Sequence, residues 1–103
     1  MSTEVRINTA LERFEIYVDG DIAGYAEYQD TASERAFVHT EIYPQYERQG
    51  YAKELIGTAL RSTRGEGFGI LPMCSMVRHF VEINPQFISS VPQWARGRMG
   101  LPQ

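Results

Sequence analysis

Between residues 13 and 28, apolar and polar positions alternate. Phe14, Ile16 and Val18 interleave with Arg13, Glu15 and Tyr17, the period-two pattern of a strand buried on one face. Asp19-Gly20 then supplies a two-residue turn, since glycine takes the positive φ that tight hairpins require. A second strand is predicted from about Ile22 to Tyr28. After the polar turn "DTASE", the run "RAFVHTEI" predicts a third strand. Strict alternation places Ala36, Val38, Thr40 and Ile42 on one face and Phe37, His39 and Glu41 on the other. An antiparallel meander is the economical arrangement of the three.

From Gly50 the period lengthens. Ala52, Leu55, Ile56, Ala59, Leu60 and Thr63 recur at helical spacing and form one stripe. Gly65 and Gly67 are the expected stop signals. "FGILPMC" predicts a short apolar strand, with Pro72 at an edge or a bulge where its missing N–H does no harm. "SMVRHFVEIN" predicts a second amphipathic helix, capped by Ser75 and ended by Asn84-Pro85. The remainder, rich in Pro, Gly and Ser, is expected to be irregular from about residue 88 and frayed at its end. The order is β-β-β-α-β-α. The stretch from the third strand through the long helix has the length of a crossover, so the third and fourth strands should be parallel neighbours.

Composition adds exclusions. At 103 residues, 43% hydrophobic and 22% charged, the chain fits one globular domain able to bury a core without metals or disulfides. No apolar run approaches the roughly 20 residues needed to span a bilayer, and the first residues lack the apolar stretch of a secretion signal. One cysteine, Cys74, excludes an internal disulfide framework and a multi-cysteine metal site. A cytoplasmic protein is expected. The net charge of −3 argues against nucleic acid as a partner, because phosphate-backbone affinity comes from many Lys and Arg contacts.

The turn before the long helix carries a candidate chemistry. A strand, a glycine-containing turn and a helix N-terminus together offer unpartnered backbone amides and the positive end of the helix dipole to an anion. The candidate donors run from Arg48 to Ala52, and the small Gly50 and Ala52 would let a pyrophosphate reach the main chain. An ordinary loop glycine fits the same pattern. The turn matches neither a dinucleotide fingerprint nor a P-loop.

Three ordered motifs, "HTEI", "ERQGYA" and "PMCS", resemble those of the GNAT superfamily of acetyl-CoA-dependent N-acyltransferases, in particular its short, single-domain YjdJ-like branch. The resemblance runs from about Arg13 to Phe87. It implies an α+β fold, the minimal GNAT-like arrangement of an antiparallel meander followed by a β-α-β-α segment with parallel pairing at the cofactor site. It also implies that the acetyl-CoA pyrophosphate lies on the amides of Arg48, Gln49, Gly50, Tyr51, Ala52 and Lys53. The pantetheine arm would follow the strand end at Ile42 and Tyr43. Arg48 departs from the branch, which usually has glycine there, and Met76 stands where an aromatic residue commonly follows Cys-Ser. Larger members shape the acceptor site with two helices near the N-terminus. This chain has no room for them between its first strands, so an open acceptor site is expected.

Cys74 precedes a helix, whose N-terminus favours a thiolate. It could serve as a nucleophile, as a proton donor to the departing CoA thiolate, or as a small buried hydrophobe. His39 and Glu41, two apart on one strand, share a face. An amine of lysine type needs a base, because neutralising it at pH 7 costs about 4–5 kcal/mol, and a carboxylate paired with an imidazole can take that proton. A solvated strand face explains the same two residues. The expected activity is N-acetyl transfer from acetyl-CoA to an amine, by direct attack with Glu41 or His39 handling the proton. The alternative is a CoA-binding or regulatory module without turnover. No metal and no membrane partner is expected.

Overall fold

The computed structural model describes residues 1–103. Its centre is a five-stranded sheet in the order β1-β2-β3-β4-β5, formed by Thr3–Asn8, Arg13–Val18, Asp21–Asp30, Glu34–Ile42 and Gly69–Pro72. The first four strands run antiparallel, while β5 joins β4 in parallel. Helix α1, Tyr51–Gly65, makes the crossover between them, and α2, Ser75–Ile83, follows β5.

The hairpin turn forms as its residues require, with Asp19 at φ 49° and Gly20 at φ 88°, both left-handed as in a type I′ turn. Strand β1 was not anticipated. Its six residues alternate only weakly in burial, because it lies at the sheet edge against β2 alone. Pro72 fits the expectation, since β5 is the opposite edge.

Phe14, Ile16, Val18, Phe37, Leu55, Leu60 and Ile70 share one buried core with Val77 and Val81 of α2. Each large apolar side chain removed from water there contributes about 1.5–3 kcal/mol. Ala52, expected in the same stripe, is only half-buried and lines a groove instead. The segment after α2, expected to be irregular, runs as short helical turns: a 3-10 stretch at Pro85–Ser90, α3 at Gln93–Arg96 and a 3-10 turn at Gly97–Met99. Phe87, Val91, Ala95 and Leu101 anchor it by burying their side chains.

The strict alternation predicted for β4 fails in its middle. Glu27 lies opposite His39 and Tyr28 opposite Phe37, so Val38 is an extra residue, and such a bulge shifts the side-chain phase. Phe37 and Thr40 are therefore both buried, whereas Val38, His39 and Glu41 are exposed. Pairing with β5 ends in the same region, at Phe37 opposite Pro72, with a last hydrogen bond from the Cys74 amide to the Phe37 carbonyl at 2.8 Å. Beyond it the β5-facing edge of β4 has no strand beside it. No helix is long and apolar enough to cross a membrane.

Candidate functional site

After β4 the chain makes a 3-10 turn at Pro44–Tyr46, whose proline presets the first φ. Arg48 then adopts φ 62° and Gly50 φ 84°. Left-handed residues on both sides of Gln49 favour a nest of main-chain amides, an arrangement suited to an anion. Gly50 is the N-cap of α1 and brings no side chain to satisfy the helix start. The amides of residues 48 to 53 donate to no carbonyl and to no side chain, and the first bond of this region is Glu54 N–H to the Gly50 carbonyl at 3.2 Å. Tyr51 is buried and meets Tyr46 edge-on at 6.1 Å, which fixes the helix start against the turn.

A groove of about 350 Å³ opens here, lined by Ile42, Tyr46, Glu47, Arg48, Gly50, Tyr51, Ala52, Lys53 and Met76. It joins the free edge of β4 to the bare helix N-terminus. Gln49 and Tyr43 do not line it. The Gln49 side chain folds back to donate to the Gln45 carbonyl at 3.2 Å, and the Tyr43 ring packs 6.2 Å from Tyr25. Tyr46 and Glu47 escaped the sequence reading, and Met76 figured there only as a departure from the branch. Nothing in their local pattern marks them, since the fold of the turn and the start of α2 bring them together.

Cys74 itself is the N-cap of α2, at φ −74° and ψ 136°, and Ser75 is the first helical residue rather than the cap. No side chain caps this helix. The half-buried Cys74 thiol lies 3.5 Å from the Thr40 hydroxyl and donates to it. His39 and Glu41 flank Thr40 in the strand and point to the opposite side, so the structure groups Cys74 with Thr40 and not with the His39–Glu41 pair. The pair is formed: His39 Nε2 and Glu41 Oε1 are 3.3 Å apart, and each side chain is about half exposed.

Tyr25 completes this cluster, and sequence reasoning missed it. Its hydroxyl donates to the same Glu41 oxygen at 3.3 Å, its ring lies 5.9 Å from His39, and the Arg13 guanidinium stacks on it at 4.5 Å. Burial, then the neighbouring Glu41 carboxylate, hold the Tyr25 hydroxyl above its ordinary ionisation range. The available signal was the hairpin register, which sets Tyr25 directly across from Glu41.

Known proteins share this architecture. The fold superimposes on a protein from Staphylococcus aureus, solved by NMR and described as GCN5-like. That match has a TM-score of 0.65, 19% identity, and coverage of 86% of this chain and 87% of that one. It also superimposes on AAC(6')-Iy, in a structure that holds the bisubstrate analogue CoA-S-monomethyl-acetylneamine. There the TM-score is 0.51 at 18% identity, over 88% of this chain and 61% of that one. No curated protein matches the chain in sequence. Residues 13–91 match the family model of the GCN5-related N-acetyltransferases. By that match, which covers most of its length, the chain belongs to the GCN5-related N-acetyltransferase family.

Proposed function

We propose that the protein transfers an acetyl group from acetyl-CoA to an amine by direct attack. The observation that carries this reading is the run of unpartnered amides at residues 48 to 53 beside the free edge of β4. The cradle suits a diphosphate: a Cβ at Gly50 would meet nothing within 4 Å, so the main chain lies open, and Arg48 and Lys53 add positive charge at the groove. Ile42 and Met76 give the same groove an apolar wall for the arm of the carrier.

The bound carrier supplies an activated acetyl thioester. The amine nitrogen forms the new C–N bond to the carbonyl carbon, the C–S bond breaks with its electron pair on sulfur, and one amine proton balances the thiolate. Glu41, oriented by Tyr25 and backed by His39, takes that proton directly or through water. Cys74, across the strand, returns a proton to sulfur, and a covalent acetyl-Cys74 intermediate is not required. A second reading is a carrier-binding module without turnover, favoured by the exposure of the His39–Glu41 pair.

The test is CoA release over a panel of amines, with thermal shift by acetyl-CoA, CoA, ATP and NAD run beside it. Stabilisation by the CoA compounds alone is expected, about 2.7 kcal/mol at 100 times the dissociation constant. Glu41→Gln should cut the rate by about 10²-fold or more and leave the thermal shift intact. Stabilisation without release for any amine selects the binding module. A single added acetyl mass on the wild type that Cys74→Ala abolishes, together with loss of turnover, would instead select the covalent route.

A further inference from the structure

A second cavity, of about 440 Å³, lies on the face of the sheet turned away from α1. Its floor is Ala36, Val38 and Leu71, its walls include Met73 and Trp94, and Arg78 and Arg98 border it. That volume suits a small ligand. In a chain of net charge −3, this cavity is lined by two arginines and no carboxylate. Arg78 has an unmet need: its Nη2 donates to the Met73 carbonyl at 3.2 Å, while its Nε is shielded from solvent and finds no acceptor. Its Nη1 also has no protein acceptor, so the guanidinium keeps donors to offer a ligand carboxylate.

The bulge in β4 ties this cavity to the proton-accepting pair. Val38 lines the cavity, and His39, the next residue, lies on the same face because the extra residue interrupts the alternation. Glu41 and Glu27 stand on that face too, Glu27 directly opposite His39. One end of the surface is therefore cationic and the other acidic, with an apolar floor beside them. A ligand matching that order carries a carboxylate, an apolar body and an amine.

We infer that this cavity is the acceptor site, and that the acceptor is a small amino acid whose amine and carboxylate stand at opposite ends of an apolar body, since Val38 and Glu41 are about 10 Å apart along the strand. Its carboxylate is held by Arg78 with help from Arg98, its apolar body lies beside Trp94 and Met73, and its amine, at the far end, is turned towards Glu41 and His39. The assignment rests on the acetyltransferase reading and names the substrate class of that site. The chemistry is the transfer already balanced above, with the amino acid's nitrogen as nucleophile.

Trp94 is the only tryptophan and is 60% exposed, so its emission reports occupancy without any turnover. The full chain is titrated with 3-phenylpropionate, which has the carboxylate and the apolar body, and with 2-phenylethylamine, which has the body and the amine. Without acetyl-CoA, 3-phenylpropionate should bind saturably, and Arg78→Gln should weaken it about tenfold or more, as for loss of a charge-assisted bond. Arg98→Gln, at an exposed position, should weaken it by a smaller factor and guards against a folding defect in the first variant. With acetyl-CoA, 4-(2-aminoethyl)benzoate, which adds a carboxylate at the end of the ring away from the amine, should show a KM at least about tenfold below that of 2-phenylethylamine. Equal binding of the two probes, or binding unmoved by both arginine variants, overturns the assignment even if other amines are acetylated. Binding as expected with no amine acetylated overturns the transferase reading, and the acceptor role with it.

Discussion

Arg48 occupies a conformation that costs an L-residue about 1–2 kcal/mol, at φ 62°. Arg48→Gly should relieve that strain and, after the offset of about 0.4–1 kcal/mol from the freer unfolded chain, stabilise by a net of up to about 1 kcal/mol, raising Tm by up to about 4–8 °C. Calorimetry of the two proteins checks this. If the guanidinium helps hold the diphosphate, the same variant binds CoA more weakly although it is more stable. Gly50 makes the reverse case. Its φ is 84° and a Cβ would meet nothing within 4 Å, so Gly50→Ala should cost about 1 kcal/mol from backbone conformation alone. Gly24 differs from both. A Cβ there would lie 2.3 Å from the Glu41 carbonyl oxygen and 2.7 Å from Ile42 Cδ1, so Gly24→Ala must push the end of β4 away. A loss of about 2 kcal/mol or more is expected, since overpacking commonly costs 1–3. Proton chemical shifts of Glu41 to Tyr43 should move with it. A variant as stable as the wild type, with those shifts unchanged, would show that β4 is not held there.

At the scale of elements, a buried arginine joins the β3–β4 hairpin to α1. Arg35 is 3% exposed. Its Nε and Nη2 reach the two Asp30 oxygens at 2.7 and 3.0 Å, and its Nη1 reaches Glu66 at 3.0 Å and the Thr63 hydroxyl at 3.3 Å. The guanidinium also lies over Tyr28 at 4.4 Å and Phe68 at 4.8 Å. Asp30 holds it with two bonds and Glu66 with one, and Glu66 is the more exposed. Asp30→Asn should then cost about 1–2 kcal/mol and Glu66→Gln less than about 1, read as a difference in urea midpoint. Equal losses would mean that the fork to Asp30 carries no special weight. No sequence pattern announced Arg35, because a single charged residue in a strand reads as a solvated one until the hairpin and the helix close over it. The sequence was legible where periods were clean: the β2–β3 hairpin, α1, the crossover and β5. It missed β1, where Val5 and Ile7 do alternate with Glu4, Arg6 and Asn8 but two apolar positions on an edge strand are too few to stand out, and it failed at Val38, where one extra residue reverses every face assignment upstream of it. It also failed for the tail, where Phe87, Val91 and Ala95 stand four apart at helical spacing but are interrupted by Pro85, Pro92 and Gly97, which read as loop residues. The turn at Arg48 to Lys53 was legible for the same reason it is open: glycine, alanine and a helix start need no distant partner to define them. Tyr25 and the cavity under Trp94 were not, since both depend on which residues the sheet brings across from one another.

The whole molecule should be stable over a plateau of pH bounded by titrations on the two faces of the sheet. On the face away from α1, Glu15 is 5% exposed and accepts hydrogen bonds from Arg13 at 2.8 Å, Tyr17 at 2.8 Å and Asn8 at 3.1 Å. Burial alone would raise its ionisation range, but the bonds from Tyr17, Arg13 and Asn8 outweigh it and hold the carboxyl below the usual carboxylate range. A group depressed in the folded state stabilises it fully above the unfolded value, near pH 4.3, and that stability fades as pH falls through the folded value. On the core side, burial holds the Tyr28 hydroxyl above its ordinary range, even though nearby Arg35 pulls it down. A phenol raised in the folded state contributes below its unfolded value, near pH 10, and its contribution is lost as pH climbs through the folded one. Stability measured by urea unfolding at successive pH values should therefore be flat from about pH 5 to 9 and fall on either side. Glu15→Gln should lower the plateau and flatten the acid limb, so that its difference from wild type shrinks as pH falls below about 4. Tyr28→Phe should leave the acid limb alone and soften the alkaline one. The Tyr17 hydroxyl, bonded to Glu15, and the Tyr25 hydroxyl are raised as well, so Glu15→Gln should also trim the alkaline limb, and Tyr28→Phe should soften that limb without abolishing it. An acid limb that survives intact in Glu15→Gln would assign it to the remaining carboxylates, Glu4 beside Arg6 first among them, and remove the β1–β2 network around Glu15 as its cause.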